Sequence, residues 1–283
     1  MDSFILTLSC PDRLGIVHAV TGFLADHGCN IVDSQQFGDR ETGRFFMRVH
    51  VEGTDAAYGL EALRSSFGPT ANEFAMDWQI HDAEAKPRVL IMVSKQGHCL
   101  NDLLYRWRVG ALPAEIVAIV SNHRDFEKLA GSYDIPYHYI PVTSATKSEA
   151  EQKLLALVDE QEVELVVLAR YMQVLSDAVC ERLPGRIINI HHSFLPSFKG
   201  ARPYHQAHSR GVKLIGATAH YVTATLDEGP IIEQDVARVE HSDGVEQLAA
   251  IGGDLECLAL ARAVRWHLEH RVLLDGHKTI VFR

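Results

Sequence analysis

The chain has 283 residues, 47% of them apolar, and a formal net charge of −10. That length and apolar content leave room for two domains, each with a core that needs no disulfide or metal staple. The acidic balance excludes a general nucleic-acid or anionic-membrane surface, though not a local pocket for an anionic ligand. The cysteines, Cys10, Cys29, Cys99, Cys180 and Cys257, are odd in number and scattered. With no Cys-x-x-Cys among them they read as reduced thiols of a cytoplasmic protein. Met1-Asp2-Ser3-Phe4 shows no basic leader, and no stretch is apolar over the length of a membrane span.

Phe4, Leu6 and Leu8 alternate with Ile5 and Thr7 as in a strand, which Cys10-Pro11-Asp12-Arg13 ends. Ile16, Val17, Val20 and Leu24 share a helical face, with Gly28 as the stop. Asn30-Ile31-Val32 opens a second strand, and Phe45, Met47, Val49 and Val51 mark a third. Residues 55–66 suit a helix, and the alternation of Phe74, Met76, Trp78 and Ile80 predicts a fourth strand. The order βαββαβ is that of a ferredoxin-like unit.

Asp82 to Pro87 is polar, ends in proline and is the best linker, so domains are expected at 1–83 and 84–283. Beyond it the pattern changes. Val89–Val93, Ile116–Val120 and Leu165–Ala169 are continuous apolar runs, as in parallel strands buried on both faces. Helical patterns separate them at 100–109, 126–132 and 149–160, which argues for an α/β, doubly wound, mostly parallel sheet. Such sheets bind ligands beyond the carboxyl ends of their strands. Arg186–His191 is a further strand, with Asn189 and His191 on one face at its end. Strands are expected at 213–223 and 230–239, with Asp227 in the loop between them. A helix is expected over 246–273, interrupted at Gly252-Gly253, and Lys278–Phe282 reads as an edge strand.

An amide, an imidazole and a carboxylate supply what carbonyl chemistry needs: an oxyanion donor, a proton donor and a base. Taken singly, Asn189 is as well a strand cap, His191 a core histidine and Asp227 a turn residue before Gly229-Pro230. Sixteen histidines invite a metal reading, with His191-His192 or His205 and His208 as ligands. Adjacent strand histidines point to opposite faces, however, and no HExxH or cysteine cluster exists, so no metal and no cofactor are expected.

Asn189-x-His191, Ser193-Phe194-Leu195-Pro196 and Leu226-Asp227-Glu228-Gly229-Pro230 together resemble the signature of folate-dependent formyltransferases. His191-His192-Ser193, Gly200-Ala201-Arg202-Pro203-Tyr204-His205-Gln206-Ala207 and Gly216–Tyr221 narrow the resemblance to the formyltetrahydrofolate deformylases, over essentially the whole chain. The resemblance implies a Rossmann-like formyltransferase-fold second domain that hydrolyses 10-formyltetrahydrofolate to formate and tetrahydrofolate, supplying formate for purine synthesis and balancing one-carbon pools. In that frame Asn189 holds the developing oxyanion, His191 donates a proton and Asp227 activates water. Gln173, Val174 and Leu175 match the segment that contacts the pterin, and Tyr221 and Thr223 belong to the facing wall. His192 stands where glycinamide ribonucleotide transformylases carry proline. Ser94–His98 lacks their Gly-x-Gly-Ser-Asn phosphate loop. Both departures favour water over a phosphorylated acceptor. A transferase using another amine, and a folate-binding sensor without turnover, are the alternatives.

Pro11-Asp12-Arg13-Leu14-Gly15-Ile16-Val17 with Gly28-Cys29-Asn30-Ile31 resembles an ACT domain. The resemblance implies a homo-oligomer and a small amino-acid effector at Gly15 and Asn30. The competing reading, in which Gly15 only eases a turn and Asn30 only enters a strand, stays open.

Overall fold

The computed structural model describes residues 2–53, 59–195 and 203–283. The chain divides into two compact units. One comprises Met1–Ala85, Glu269–Asp275 and Thr279–Arg283; the other comprises Lys86–Leu268 and Gly276–Lys278.

The first unit runs β1 (Ser3–Pro11), α1 (Ile16–Asp26), β2 (Cys29–Asp39), β3 (Arg44–Gly53), α2 (Leu60–Glu73) and β4 (Asp77–Asp82). Its antiparallel sheet has the order β2-β3-β1-β4. Leu6 and Leu8 of β1, Met47 and Val49 of β3, Val20 and Leu24 of α1 and Leu63 and Phe67 of α2 fill one core. α1 starts from Gly15 at φ 98°, a backbone state that glycine takes without a Cβ clash. The helix expected at 55–66 lies later, and positions 55–58 fall outside the described residues. It runs through Pro69 to Glu73. Pro69 removes one intrahelical donor, yet Leu63, Phe67 and Ala71 carry a buried stripe past it. Phe74 and Met76, expected in a strand, therefore form the end of α2 and the turn after it, where Ala75 has φ 51°.

The second unit begins with β5 (Arg88–Val93), α3 (His98–Arg108), β6 (Glu115–Ser121), α4 (Glu127–Gly131), β7 (Tyr137–Tyr139) and α5 (Lys147–Glu160). It continues with β8 (Leu165–Leu168), α6 (Asp177–Arg182), β9 (Ile187–His191), α7 (Pro203–Arg210), β10 (Leu214–Tyr221), β11 (Ile231–Arg238) and α8 (Val245–Leu268). The sheet order is β11-β10-β9-β8-β5-β6-β7. β5 to β9 pair in parallel, while β10 and β11 run antiparallel at one edge. β7, only three residues long, had no distinct apolar run to announce it.

α8 is continuous through Gly252 and Gly253, contrary to the expected interruption. Gly252 serves packing: a Cβ on it would lie 2.0 Å from the Tyr204 hydroxyl. The closing segment is not an edge strand of either larger sheet but a hairpin of β12 (Val272–Asp275) and β13 (Lys278–Val281). The buried Arg48 side chain donates to the Glu269 carbonyl, and Gln35 donates to that of Arg283. These side-chain bonds return the C-terminus to the first unit, a pairing that local patterning does not encode.

Candidate active site

The strand order reverses between β5 and β8, the position at which a doubly wound sheet opens a crevice beyond its carboxyl ends. A cavity of about 260 Å³ lies beside that point, beyond the carboxyl ends of β8 and β9, walled by residues 168, 170–175, 189–192, 220, 222–224, 226 and 227. β9 delivers Asn189 and His191 to it, with Ile188 and Ile190 buried. The partner of β9 is β10, in a register that sets His220 directly opposite Asn189 and Thr218 opposite His191. Thr218 is fully buried and binds the Ser193 carbonyl and the Leu195 amide, which fixes the exit of the chain from β9.

Asp227 enters from the loop after β10. Its Oδ2 lies 3.3 Å from His191 Nδ1. Its Oδ1 lies 3.8 Å from His220 Nε2. Asn189 Nδ2 donates to that same His220 Nε2 at 3.3 Å, and His220 Nδ1 donates to the Tyr221 carbonyl at 2.8 Å. His220 therefore carries its proton on Nδ1 and accepts at Nε2. Burial lowers its pKa, outweighing the Tyr221 bond and Asp227, so the ring is neutral. The hydrogen bond from His191 holds Asp227 below the ordinary aspartate range against the opposing effect of its own burial. His191 Nε2 is buried and has no hydrogen-bond partner among the described residues. A buried polar atom left open at a cavity wall is suited to a bound molecule.

The backbone pays a conformational cost at this site. Asp227 has φ 56° and Arg170 φ 63°, both left-handed and neither glycine. For such residues this conformation persists only where the surroundings enforce it. Two residues after Asp227, Gly229 packs directly against the Tyr221 carbonyl.

Gln173, Val174, Leu175 and Thr223 line the cavity together with Asn189, His191 and Asp227. Tyr221 does not. It is 4% exposed, with its hydroxyl 2.7 Å from His267 Nδ1 on α8, because the last residue of β10 points its side chain to the helix face. Tyr221 contributes only its carbonyl, to His220. Gly15 and Asn30 lie in the first unit, at the start of α1 and in the exposed beginning of β2. The stretch 196–202, with Pro196, Gly200, Ala201 and Arg202 of the quoted motifs, lies outside the described residues.

Two features were not assigned from sequence. His220 stands in a recognised motif, but its role depends on the β9–β10 register. The other is a buried polar cluster around Glu256 of α8, which is 2% exposed. Its carboxylate accepts from His98 Nε2 at 2.7 Å and from the Tyr204 hydroxyl at 2.9 Å, and it lies 3.3 Å from Arg170 Nε. Burial pushes Glu256 up, but the His98 bond and the Arg170 charge outweigh it and hold the carboxyl below its usual range. His192 stacks on His191 with centroids 4.9 Å apart; burial, then Arg170 and His191, lower its pKa to about 4.

His98, Cys99 and Glu256 offer ligand atoms within 4.8 Å of one another. The Arg170 guanidinium on the same carboxylate competes with a cation there, so the cluster is better described as a charge-balanced hydrogen-bond network. Neither His191-His192 nor His205 with His208 belongs to a metal-ligand grouping among the described residues. No described helix is long and apolar enough to cross a membrane.

The chain matches two family models, formyl transferase over residues 87–264 and ACT domain over 4–67. A formyltetrahydrofolate deformylase from Corynebacterium sp. (strain P-1) is 56% identical over 279 residues, covering 99% of this chain and 98% of its own length. One from Bacillus subtilis (strain 168) is 49% identical, covering 98% of this chain and 93% of its own. The crystal structure of formyltetrahydrofolate deformylase from Burkholderia mallei superimposes with a TM-score of 0.95 at 54% identity, covering all of both chains.

Proposed function

The chain belongs to the formyltetrahydrofolate deformylase family, and on that premise we propose how its site hydrolyses 10-formyltetrahydrofolate to formate and tetrahydrofolate. The observation that carries the assignment of residues is the pairing of Asn189 with His220 and of Asp227 with His191, the two pairs side by side at one end of the cavity. The pterin enters between the 171–175 segment and the 222–226 loop, which sets the formyl carbon among these groups.

Asp227, held ionised, orients a water and takes its proton as the oxygen bonds to the formyl carbon. Negative charge then grows on the formyl oxygen. An Asn189 N–H meets it, the amide being fixed in orientation because its other N–H is engaged by His220. Preorganised donors of this kind are worth ~10²–10³ in rate. As the C–N10 bond breaks, the nitrogen needs a proton; the open His191 Nε2, with Nδ1–H held by Asp227, takes the hydroxyl proton of the tetrahedral intermediate and passes it to N10, leaving formate. The aryl amine is a weakly basic leaving group, so the reading needs no metal.

We also read the protein as a cytoplasmic enzyme whose first unit assembles copies of the chain and takes a small amino acid near Gly15 and Asn30. The support for assembly is physical: β2 is an edge strand, with Ile31, Val32 and Phe37 exposed. Turnover in ¹⁸O-water with no amine present tests the hydrolytic reading. One solvent oxygen in each formate is expected; a requirement for an added amine would make the protein a transferase instead.

A further inference from the structure

A second cavity of about 300 Å³ opens beside the first, where the chain leaves β5, β6 and β8. Arg170, Met172 and Gln173 wall both cavities, so they form the partition between them. Lys95, Gln96 and His123 are among the residues that line only the second. Nothing in the reaction scheme above uses it.

Arg170 is the group whose placement needs explaining. It is 8% exposed and takes a left-handed backbone to bring its side chain to the partition. Gln96 Oε1 accepts from Nε at 3.0 Å and from Nη2 at 2.5 Å, and Glu256 balances the charge from 3.3 Å. Nη1 has no hydrogen-bond partner among the described residues. Lys95, exposed at the same cavity, has no ion pair among them. A guanidinium locked on one side and open on the other presents N–H donors in the geometry that suits a carboxylate.

We propose that this second cavity receives formate, the small carboxylate product, and passes it to solvent while tetrahydrofolate still occupies the first. The proposal rests on the hydrolytic reading. Once Asp227 has given its proton up to solvent, formate lies beside an ionised carboxylate and is repelled by it, since like charges a few ångströms apart in a water-poor site interact strongly. The Arg170 guanidinium in the partition, and Lys95 beyond it, give the anion a path of falling potential away from Asp227. With only three non-hydrogen atoms to bind, formate is held no more tightly than about 1 mM, as a released product must be.

The test is ¹³C-formate titrated against the full-length protein saturated with tetrahydrofolate, binding being read from NMR line broadening. The expected result is saturable binding in the millimolar range that weakens at least fivefold in Lys95→Ala and in Arg170→Gln. Arg170→Gln leaves Glu256 without its cation and risks misfolding; Lys95→Ala changes an exposed residue and keeps the test decisive. Absence of saturable formate binding, an unchanged constant in Lys95→Ala, or displacement of formate by tetrahydrofolate would each overturn the proposal. A wild-type protein that releases no formate from 10-formyltetrahydrofolate would instead remove the hydrolytic reading on which it rests.

Discussion

Gly229 stands so close to Tyr221 that a Cβ on it would lie 1.7 Å from the Tyr221 carbonyl oxygen and 2.8 Å from its carbonyl carbon. Both contacts are with backbone, so no side-chain rotation relieves them. The same carbonyl accepts from His220, and Asp227, two residues before Gly229, has a left-handed backbone. Gly229→Ala is therefore expected to shift the Asp227 turn while the buried sheet stays folded. A misplacement of about 1 Å at a reacting group costs ~10² in rate. Formate release, with a thermal melt alongside, checks this; a kcat within threefold of wild type would show that the turn does not position Asp227.

Asn189→Ala is expected to lower kcat by ~10²–10³ with little change in KM, the pattern of an interaction made only in the transition state. His220→Gln removes the ring that orients the Asn189 amide. Its loss should be smaller, about tenfold, and should disappear when measured in the Asn189→Ala background, because residues that act through one another are not additive. A full tenfold loss in that background would mean His220 acts by another route.

Much of this architecture was legible because it is written locally. The apolar runs at 89–93 and 165–168 are parallel strands, and the alternation around Asn189 and His191 sets both toward one cavity. Contacts between distant elements were not legible. His220 gains its role only from pairing with Asn189 across β9 and β10. Tyr221 sits one residue further on the same strand, so it faces α8 instead of the cavity. Gly252 and Gly253 carry a breaking propensity of about 1 kcal/mol each, yet α8 runs through both, with Gly252 packed closely against Tyr204. Pro69 misled in the same way, since the buried stripe of α2 continues past it.

Gly252→Ala should destabilise the second unit by about 1–3 kcal/mol, the usual cost of forcing an extra carbon into a packed site. The added methyl meets not only the Tyr204 hydroxyl but also its ring carbons, at 2.4 and 2.5 Å. Tyr204→Phe should therefore relieve little of the loss, whereas Tyr204→Ala should relieve most of it. Chemical denaturation of the wild type, the three single variants and the two double variants reads the coupling, and strict additivity of Gly252→Ala with Tyr204→Ala would contradict the contact.

Two histidines make stability fall in acid. Burial lowers His192 and His81 to about 4 each from an ordinary 6.5, aided at His192 by Arg170 and at His81 by Arg64. Between about pH 4 and 6.5 the unfolded chain binds protons that the folded one does not. The contribution is thus whole above pH 6.5 and is lost as pH falls toward 4, up to the order of 3 kcal/mol for each residue. His81 lies in the first unit, stacked on His270 with 3.5 Å between centroids, and His192 lies in the second, so His81 and His192 report on different units. Urea unfolding at pH 7 and pH 5 should show the decline, and His192→Asn should flatten it in the second unit. An identical pH dependence in the variant would contradict the buried, neutral state of His192.

Formate release from 10-formyltetrahydrofolate by the wild type and by Asp227→Asn, with no amine added, tests the central claim most directly. The substitution keeps the size of the side chain and removes the charge that accepts the water proton and holds His191. Rapid release by the wild type and a loss of ~10³ or more in a well-folded variant is the predicted result, the scale expected of a catalytic group. A variant that retains more than about a tenth of wild-type kcat/KM, a difference of only ~1.4 kcal/mol in barrier, would contradict the assignment of Asp227 as the base.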